Sequence, residues 1–138
     1  MLEWHNRAFA ELASADVYAI LELRAQVFVV EQKCAYLDPD GLDRAARHVW
    51  AADAGAIVAY ARVLAAPTRI GRVVVAPGRR GTGLGRELMQ RVIATTTGPI
   101  RLSAQSHLER FYNELGFVRV GEPYDEDGIP HIGMIRTG

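Results

Sequence analysis

Residues 70–86 read Ile-Gly-Arg-Val-Val-Val-Ala-Pro-Gly-Arg-Arg-Gly-Thr-Gly-Leu-Gly-Arg, and this stretch decides the fold. Its apolar part predicts a buried strand, and the glycine-rich part predicts a turn that opens an apolar-periodic helix. Three alternating glycines, Gly81, Gly83 and Gly85, carry no Cβ and let the backbone approach a ligand closely. The unpaired N–H groups at the helix start, with the positive end of the helix dipole behind them, then predict an anion site whose usual guest is diphosphate.

Arginines flank this turn, and Arg79, Arg80 and Arg86 supply fixed positive charge suited to phosphate. A Walker phosphate loop needs a lysine and then Ser or Thr after its last glycine, whereas Arg86 and Glu87 follow here. A dinucleotide fingerprint needs a wider glycine spacing and an acidic residue at the end of the next strand, and residues 100–103 carry no acid. The ligand is therefore expected to be a diphosphate compound of another kind.

Two separate signatures indicate which kind. Residues 80–85, Arg-Gly-Thr-Gly-Leu-Gly, match the Arg/Gln-x-x-Gly-x-Gly/Ala signature of the GCN5-related N-acetyltransferase (GNAT) superfamily. Residues 110–117, Arg-Phe-Tyr-Asn-Glu-Leu-Gly-Phe, resemble the second signature of that superfamily, a helix that carries a tyrosine and ends in Gly-Phe. Segments 24–32, 102–105 and 126–131 narrow the resemblance to the ElaA-like branch. The resemblance covers nearly the whole chain.

The resemblance implies the GNAT acyltransferase fold, an α/β (α+β) domain that spans residues 1–138. Hydrophobic periodicity agrees, because it predicts a mixed, mostly antiparallel sheet of six or seven strands with helices on both faces. The predicted strands are 2–9, 49–52, 56–64, 70–75, 100–103, 117–120 and 129–135, and the predicted helices are 14–28, 84–93 and 106–115. Arg24 is the one charged residue on the apolar face of the first helix, and residues 33–47 are predicted to form a loop.

The resemblance also implies the chemistry: an acetyl group passes from acetyl-coenzyme A to an amine by direct attack on the thioester. Tyr112 is the expected general acid, because a phenol is protonated at neutral pH and can donate to the leaving thiolate. Amines with a pKa near 10.4 are mostly protonated at pH 7, so a base is useful. Glu31 and His131 are the candidate bases, and ordered water is a further option.

The acetyl-coenzyme A site follows from the same resemblance. Backbone groups of the apolar strand are expected to pair with the pantetheine arm, and the N–H groups of the glycine turn to hold the diphosphate. The expected binding residues are Val73, Val74, Val75, Arg79, Arg80, Gly81, Thr82, Gly83, Leu84, Gly85, Arg86, Gln105 and Tyr112. The alternative is a non-catalytic acyl-coenzyme A sensor or interaction module on the same fold.

The composition limits the classes of partner that the protein is expected to bind. The formal net charge is zero, from 16 basic and 16 acidic residues, so no strong field favours nucleic acid or an anionic membrane. Near-zero net charge leaves a homodimer open. Cys34 is the single cysteine, which excludes an internal disulfide and agrees with a cytoplasmic location. No histidines or cysteines stand at a zinc spacing, so no metal is expected.

The amine acceptor is left open as a small molecule or a protein amino group. Acidic residues in two predicted loops, residues 36–43 and residues 124–128, are candidates to attract a cationic amine.

Overall fold

Seven strands and three α-helices make up residues 1–137, the part of the chain that the computed structural model describes. The strands are β1 (Leu2–Ala8), β2 (Arg47–Asp53), β3 (Ala56–Leu64), β4 (Thr68–Val75), β5 (Ile100–Gln105), β6 (Val118–Glu126) and β7 (Ile129–Arg136). The helices are α1 (Ser14–Arg24), which a π-helical segment (Ala25–Glu31) continues, α2 (Leu84–Ala94) and α3 (Glu109–Asn113). Single turns of 3-10 helix occur at Phe9–Glu11, Asp43–Ala45, Pro77–Arg79 and Ser106–Leu108.

All seven strands form one sheet in the order β1-β2-β3-β4-β5-β7-β6, and the one parallel pair is β4 with β5. The predicted mixed, mostly antiparallel sheet is therefore confirmed. The α1 face of the sheet is where Ile20, Leu23 and Val27 pack against β2, β3 and β4. The α2 face is where α2 and α3 pack, and it contains the larger of two apolar clusters.

Strands β4 and β5 pair along only part of their length. Residues Thr68–Ile70 lie opposite Ile100–Leu102, and beyond that level the ladder between the two strands stops. Strand β4 has an extra residue there, because Gly71 is opposite Arg62 in β3 while Val74 is opposite Tyr60. Arg72 takes up the extra length with a left-handed φ of 50°. Such a bulge bends its strand, so β4 turns away from β5 and a gap opens between them.

Two hairpins close with two-residue turns in which both residues have positive φ. Ala54 and Gly55 join β2 to β3, and Asp127 and Gly128 join β6 to β7. This is the turn geometry that matches the twist of the flanking strands. The second hairpin corrects the predicted loop at residues 124–128, because β6 runs to Glu126. The alternation is hard to see in the sequence because the pairing shifts register between Val120 and Tyr124.

The first helix departs from the prediction, because α1 ends as an α-helix at Arg24 and then widens into the π-helical segment. Arg24 is completely buried. Its Nε donates to Asp38 Oδ2 at 2.8 Å and its Nη1 to Asp43 Oδ1 at 2.7 Å. The charge on the apolar face thus has buried partners, and it anchors the loop that follows the π-helical segment.

The third helix is shorter than predicted. Residues 106–108 form a 3-10 turn, and only Glu109–Asn113 are α-helical. The chain then reverses through Gly116, whose φ is 94°. Phe117 follows and is fully buried on the α2 face. The short helix holds Tyr112 against the sheet.

Candidate active site

The gap between β4 and β5 is the first component of the site. Val73, Val74 and Val75 lie on β4 above the last β4–β5 pair, and β4 is paired there with β3. Val74 is buried on the α1 face, whereas Val73 and Val75 pack at the margin of the α2 face. The other edge of this segment has no strand partner among residues 1–137. Its backbone groups are therefore free to pair with an extended ligand.

The glycine turn is the second component and follows β4 directly. Gly81 has a φ of 76°, and Gly83, the N-cap of α2, has a φ of 83°. A Cβ placed on either one would meet no atom within 4 Å, so the space beside them is open. Gly85 packs on the strand instead, with Val75 Cγ2 3.4 Å from where its Cβ would be.

The backbone N–H groups of residues 81–86 meet no acceptor among residues 1–137. Thr82 Oγ1 donates to the carbonyl of Arg79 at 2.6 Å, which fixes the shape of the turn. Unpaired N–H groups at a helix N-terminus attract negative charge, since the helix dipole adds to them. The turn predicted from sequence thus has the geometry of an anion site.

The three arginines of this region each hold an acidic partner, which the sequence did not reveal. Arg79 Nη2 lies 2.5 Å from Asp53, Arg86 Nη2 lies 2.5 Å from Glu114, and Arg80 donates two bonds to the Glu31 carboxylate. The hydrogen bond from Arg80 lowers the pKa of Glu31. These side chains are all two-fifths or more exposed, except Asp53 at 27%. Their charges are offset by partners that an incoming anion would have to displace.

Tyr112 lies on the α2 face, where its ring meets Phe111 and Phe117 edge-on at centroid distances of 5.0 and 5.9 Å. Its side chain is buried, and burial raises its pKa to about 12. No hydrogen-bond partner for its hydroxyl is found within residues 1–137. A protonated phenol with an unused donor is what a general acid requires.

His131 and Gln105 lie side by side, because Gln105 is the last residue of β5 and pairs in register with His131 of β7. Ile132 and Met134 belong to the cluster on the α2 face. Side chains alternate along a strand, so His131 and Gln105 point to the α1 face. Glu31 lies elsewhere, beside Arg80 at the glycine turn.

Tyr124 and Ser103 near His131 were not singled out from the sequence, whereas Glu126 was among the acids of the predicted loop at residues 124–128. Tyr124 of β6 stacks on the imidazole at 6.3 Å between centroids and hydrogen-bonds Ser103 of β5. Glu126 Oε2 lies 3.5 Å from His131 Nε2. The signal that could have found them is the Asp-Gly pair at residues 127–128, since a two-residue turn there sets the register of the whole hairpin.

The loop after the π-helical segment reaches this hairpin. Cys34 is buried, and its Sγ lies 3.5 Å from the carbonyl oxygen of Asp127. Tyr36 stacks under the Arg72 guanidinium at 5.7 Å from the ring centroid, and burial raises the pKa of its phenol to about 12. The loop therefore runs from the β4 bulge to the tip of the β6–β7 hairpin, and it borders the gap on the α1 face.

The acids of this loop do not offer free negative charge, contrary to expectation. Asp38, Asp40 and Asp43 pair with three arginines, Arg24, Arg62 and Arg72. Burial alone would raise the pKa of Asp40, but hydrogen bonds from Arg62 and from the backbone outweigh it and lower that pKa to about 2. Three acids and three arginines cancel, so this loop cannot attract a cationic amine as expected.

Neither a metal-binding cluster nor a membrane-spanning helix is found within residues 1–137. No group of three or more His, Cys, Asp or Glu side chains is arranged to hold a metal ion. Within the same residues, no helix has the length and apolar character needed to cross a membrane.

Comparison with known proteins agrees with this geometry. The family model of the acetyltransferase (GNAT) domain matches residues 22–137. Protein ElaA of Escherichia coli is 45% identical, over 99% of this chain and 97% of its own length. A crystal structure of an acyl-CoA N-acyltransferase from Pseudomonas aeruginosa is 44% identical with a TM-score of 0.94, and covers 99% of this chain and 100% of its own. An aminoglycoside 6'-N-acetyltransferase complexed with coenzyme A shares the fold, with a TM-score of 0.72 at 16% identity over 96% of each chain.

The chain belongs to the GNAT acetyltransferase family, and within it to the ElaA-like branch. The predicted family and fold are thus confirmed. The roles of individual residues stay predictions.

Proposed function

We propose that this protein is an acetyl-coenzyme A-dependent N-acetyltransferase that acts on an amine. The observation that carries the proposal is the open edge of Val73–Val75 next to the unpaired N–H groups of residues 81–86. An extended amide arm ending in a diphosphate fits that pair of features. The related fold that was crystallised with coenzyme A supports the same ligand class.

The proposed substrate contacts follow the chain. The pantetheine arm pairs with Val73, Val74 and Val75, and Gln105 lines the opposite side of the gap. The diphosphate lies on the N–H groups of residues 81–86, and Arg80 exchanges Glu31 for a phosphate oxygen. Each charge-assisted bond of this kind contributes about 1.5–3 kcal/mol.

In the proposed reaction the neutral amine attacks the thioester carbon, and the C–S bond breaks as the N–C bond forms. Tyr112 donates its hydroxyl proton to the leaving thiolate. Its hydroxyl has no hydrogen-bond partner among residues 1–137, and burial of the ring raises its pKa. The nitrogen gives up one proton to a base, and Glu31, His131 or ordered water can take it. No acyl-enzyme is formed in this scheme.

The proposal also includes the cellular compartment, the class of acceptor and the oligomeric state. We place the enzyme in the cytoplasm, because its single cysteine forms no internal disulfide. Residues 1–138 act as one domain, with an amine of a small molecule or protein as acceptor and no metal, nucleic acid or membrane involved. Self-association as a homodimer is compatible with the near-zero net charge.

Calorimetric titration with acetyl-coenzyme A, with ATP and NAD as controls, tests the ligand. We expect micromolar binding of acetyl-coenzyme A alone, followed by acetyl transfer to members of a primary-amine panel. Binding without transfer to any amine would instead support an acyl-coenzyme A sensor. Preferential binding of ATP would reject both.

Tyr112→Phe tests the general acid. Turnover should fall well beyond tenfold while acetyl-coenzyme A affinity stays within about twofold, because the hydroxyl has no hydrogen-bond partner among residues 1–137. Tyr18→Phe is the matched control, since Tyr18 is 73% exposed and lies on α1, which packs on the other face of the sheet from Tyr112. Unchanged turnover of Tyr112→Phe would rule out this role.

A further inference from the structure

We propose that His131 is the general base of this reaction and that Glu126 is its positioning residue. The inference rests on the proposed function and deepens it, because it chooses between the candidate bases. It also places acid and base on opposite faces of the sheet. One hydrogen bond, one close approach and the strand register distinguish His131 from the other candidates.

The hydrogen bond fixes the proton on the ring. His131 Nδ1 lies 2.7 Å from the carbonyl oxygen of Ile129, its neighbour two residues back on β7. A carbonyl oxygen can only accept, so Nδ1 must carry the hydrogen. In the neutral ring Nε2 then has a free lone pair, which is the form that accepts a proton.

The close approach is between the His131 ring and the Glu126 carboxylate. Nε2 lies 3.5 Å from Glu126 Oε2, so in the neutral ring two acceptors stand opposite each other. Once Nε2 takes a proton, the same contact becomes an imidazolium–carboxylate pair. His131 is 8% exposed, so the new charge arises mostly out of water and Glu126 compensates it.

Two of the side chains next to the ring are neutral. Tyr124 of β6 stacks on it, and Gln105 of β5 lies opposite in register. On the loop side, Cys34 contacts the carbonyl of Asp127 at the hairpin tip. Glu126 and the Asp127 carboxylate next to it are acidic, and the Arg72 guanidinium lies on Tyr36 in the adjoining loop. An imidazolium formed at His131 has the Glu126 carboxylate as its counterion.

The register places the base on the opposite face of the sheet from the acid. His131 pairs with Gln105, the last residue of β5, at the end where β4 and β5 have separated. Its side chain is on the α1 face, while Tyr112 is on the α2 face. The amine would arrive from the α1 face, beside the loop that carries Cys34 and Tyr36, and the thiolate would leave toward Tyr112.

Glu31 is the poorer base by the same criteria. It is exposed, it accepts two hydrogen bonds from Arg80, and those bonds lower its pKa. A carboxylate so stabilised holds a proton weakly. Glu31 also lies at the glycine turn, where the diphosphate is expected, and not at the hairpin.

The proton balance is complete. As the amine nitrogen bonds the acyl carbon it becomes cationic, and it passes one proton to His131 Nε2. Tyr112 gives one proton to the sulfur as the C–S bond breaks. After the amide and free coenzyme A leave, the imidazolium loses one proton and the phenolate gains one through solvent.

A nitrogen-15 spectrum of the histidine side chains tests the tautomer without any turnover. The protein labelled at histidine nitrogens is compared with His131→Gln to assign the ring, alone and with acetyl-coenzyme A at neutral pH. We expect Nδ1 to carry the proton and Nε2 to be bare. A proton on Nε2 would overturn the assignment, whether that proton makes the other tautomer or a resting imidazolium.

Kinetics test the role on the best amine of the panel. His131→Gln should lower kcat at least 100-fold and remove the acid limb of the pH profile, with acetyl-coenzyme A binding unchanged. Glu126→Gln should lower kcat about tenfold and move the acid limb to lower pH, because the imidazolium loses its carboxylate. The matched control is Asp125→Asn, one residue away and pointing to the other face of β6.

The outcomes separate the two levels of the proposal. A His131→Gln variant that keeps half of the wild-type kcat, or a Glu126→Gln profile with an unmoved acid limb, would overturn this inference alone. Wild-type protein that fails to bind acetyl-coenzyme A would overturn the proposed function, while the tautomer measurement would still stand.

Discussion

Two groups of arginines in this chain make the same kind of ion pair in opposite surroundings. Arg24, Arg62 and Arg72 pair with aspartates under the loop that follows the π-helical segment, and their side chains are 0, 6 and 22% exposed. Arg79, Arg80 and Arg86 pair with acids around the glycine turn, and theirs are 41, 44 and 41% exposed. We call these the buried set and the turn set.

The difference in burial gives the two sets different tasks. An exposed pair contributes about 0–1 kcal/mol, so a diphosphate can replace the carboxylate at little cost. Removing one partner of a buried pair costs about 3–5 kcal/mol, because a charge is left without a counterion. The buried set therefore holds a loop in place, and the turn set can change partners when a ligand arrives.

Arg24→Met is the variant that should have the largest effect. It leaves Asp38 and Asp43 short of a partner, so the free energy of unfolding should fall by about 3–5 kcal/mol in urea titration. Arg119→Met, which breaks the exposed pair with Glu109, is the control and should cost less than about 1 kcal/mol. Equal losses would mean that burial does not distinguish the two sets.

Gly83→Val should have the next largest effect, on binding. A β-branched residue is strained at a φ of 83°, and its side chain would fill the open space beside the turn. Acetyl-coenzyme A affinity should fall more than about 100-fold, or 2.7 kcal/mol, by calorimetry. Gly78→Ala, with open space and no positive φ, should bind normally. Retained micromolar binding by Gly83→Val would place the diphosphate elsewhere.

Low pH should reduce the contribution of the buried set to stability, over a defined pH range. The pKa of Asp40 is lowered to about 2 in the folded chain, below its ordinary value of 3.8. Its contribution to stability is thus complete above about pH 4 and is lost as pH falls through about 2. Urea titrations of wild type and Asp40→Asn should differ most above pH 4 and converge near pH 2. A constant difference across that range would contradict the ion pair.

Glu31→Gln should have the smallest effect, and it tests whether an arginine of the turn set is held back by its acidic partner. It releases Arg80 and removes a negative charge from the turn, so acetyl-coenzyme A should bind a few-fold more tightly at low salt. High salt should reduce the gain. The control Glu109→Gln frees Arg119 on β6, which is not part of the turn, and should leave affinity unchanged. Weaker binding by Glu31→Gln would show that the pair itself builds the site.

Contiguous features were predictable from sequence. The strand at residues 70–75, the turn with Gly81 and Gly83, and the helix from Leu84 follow one another within 25 residues. Local propensity and spacing suffice for them. The π-helical segment and the short α3 were not predicted, because hydrophobic spacing does not distinguish them from a regular α-helix. The partner of Arg24, Asp38, is 14 positions away and was not predicted either.

The family, the mixed sheet and the glycine turn could be predicted from the sequence, since they depend on two short signatures, glycine spacing and hydrophobic periodicity within short windows. Which charged side chains form ion pairs could be seen only in the tertiary structure. It paired the loop aspartates with buried arginines, gave each turn arginine an acid, and set Glu126 beside His131. Ion pairs act through space over a few ångströms, and the residues that form these lie between 5 and 49 positions apart in the chain.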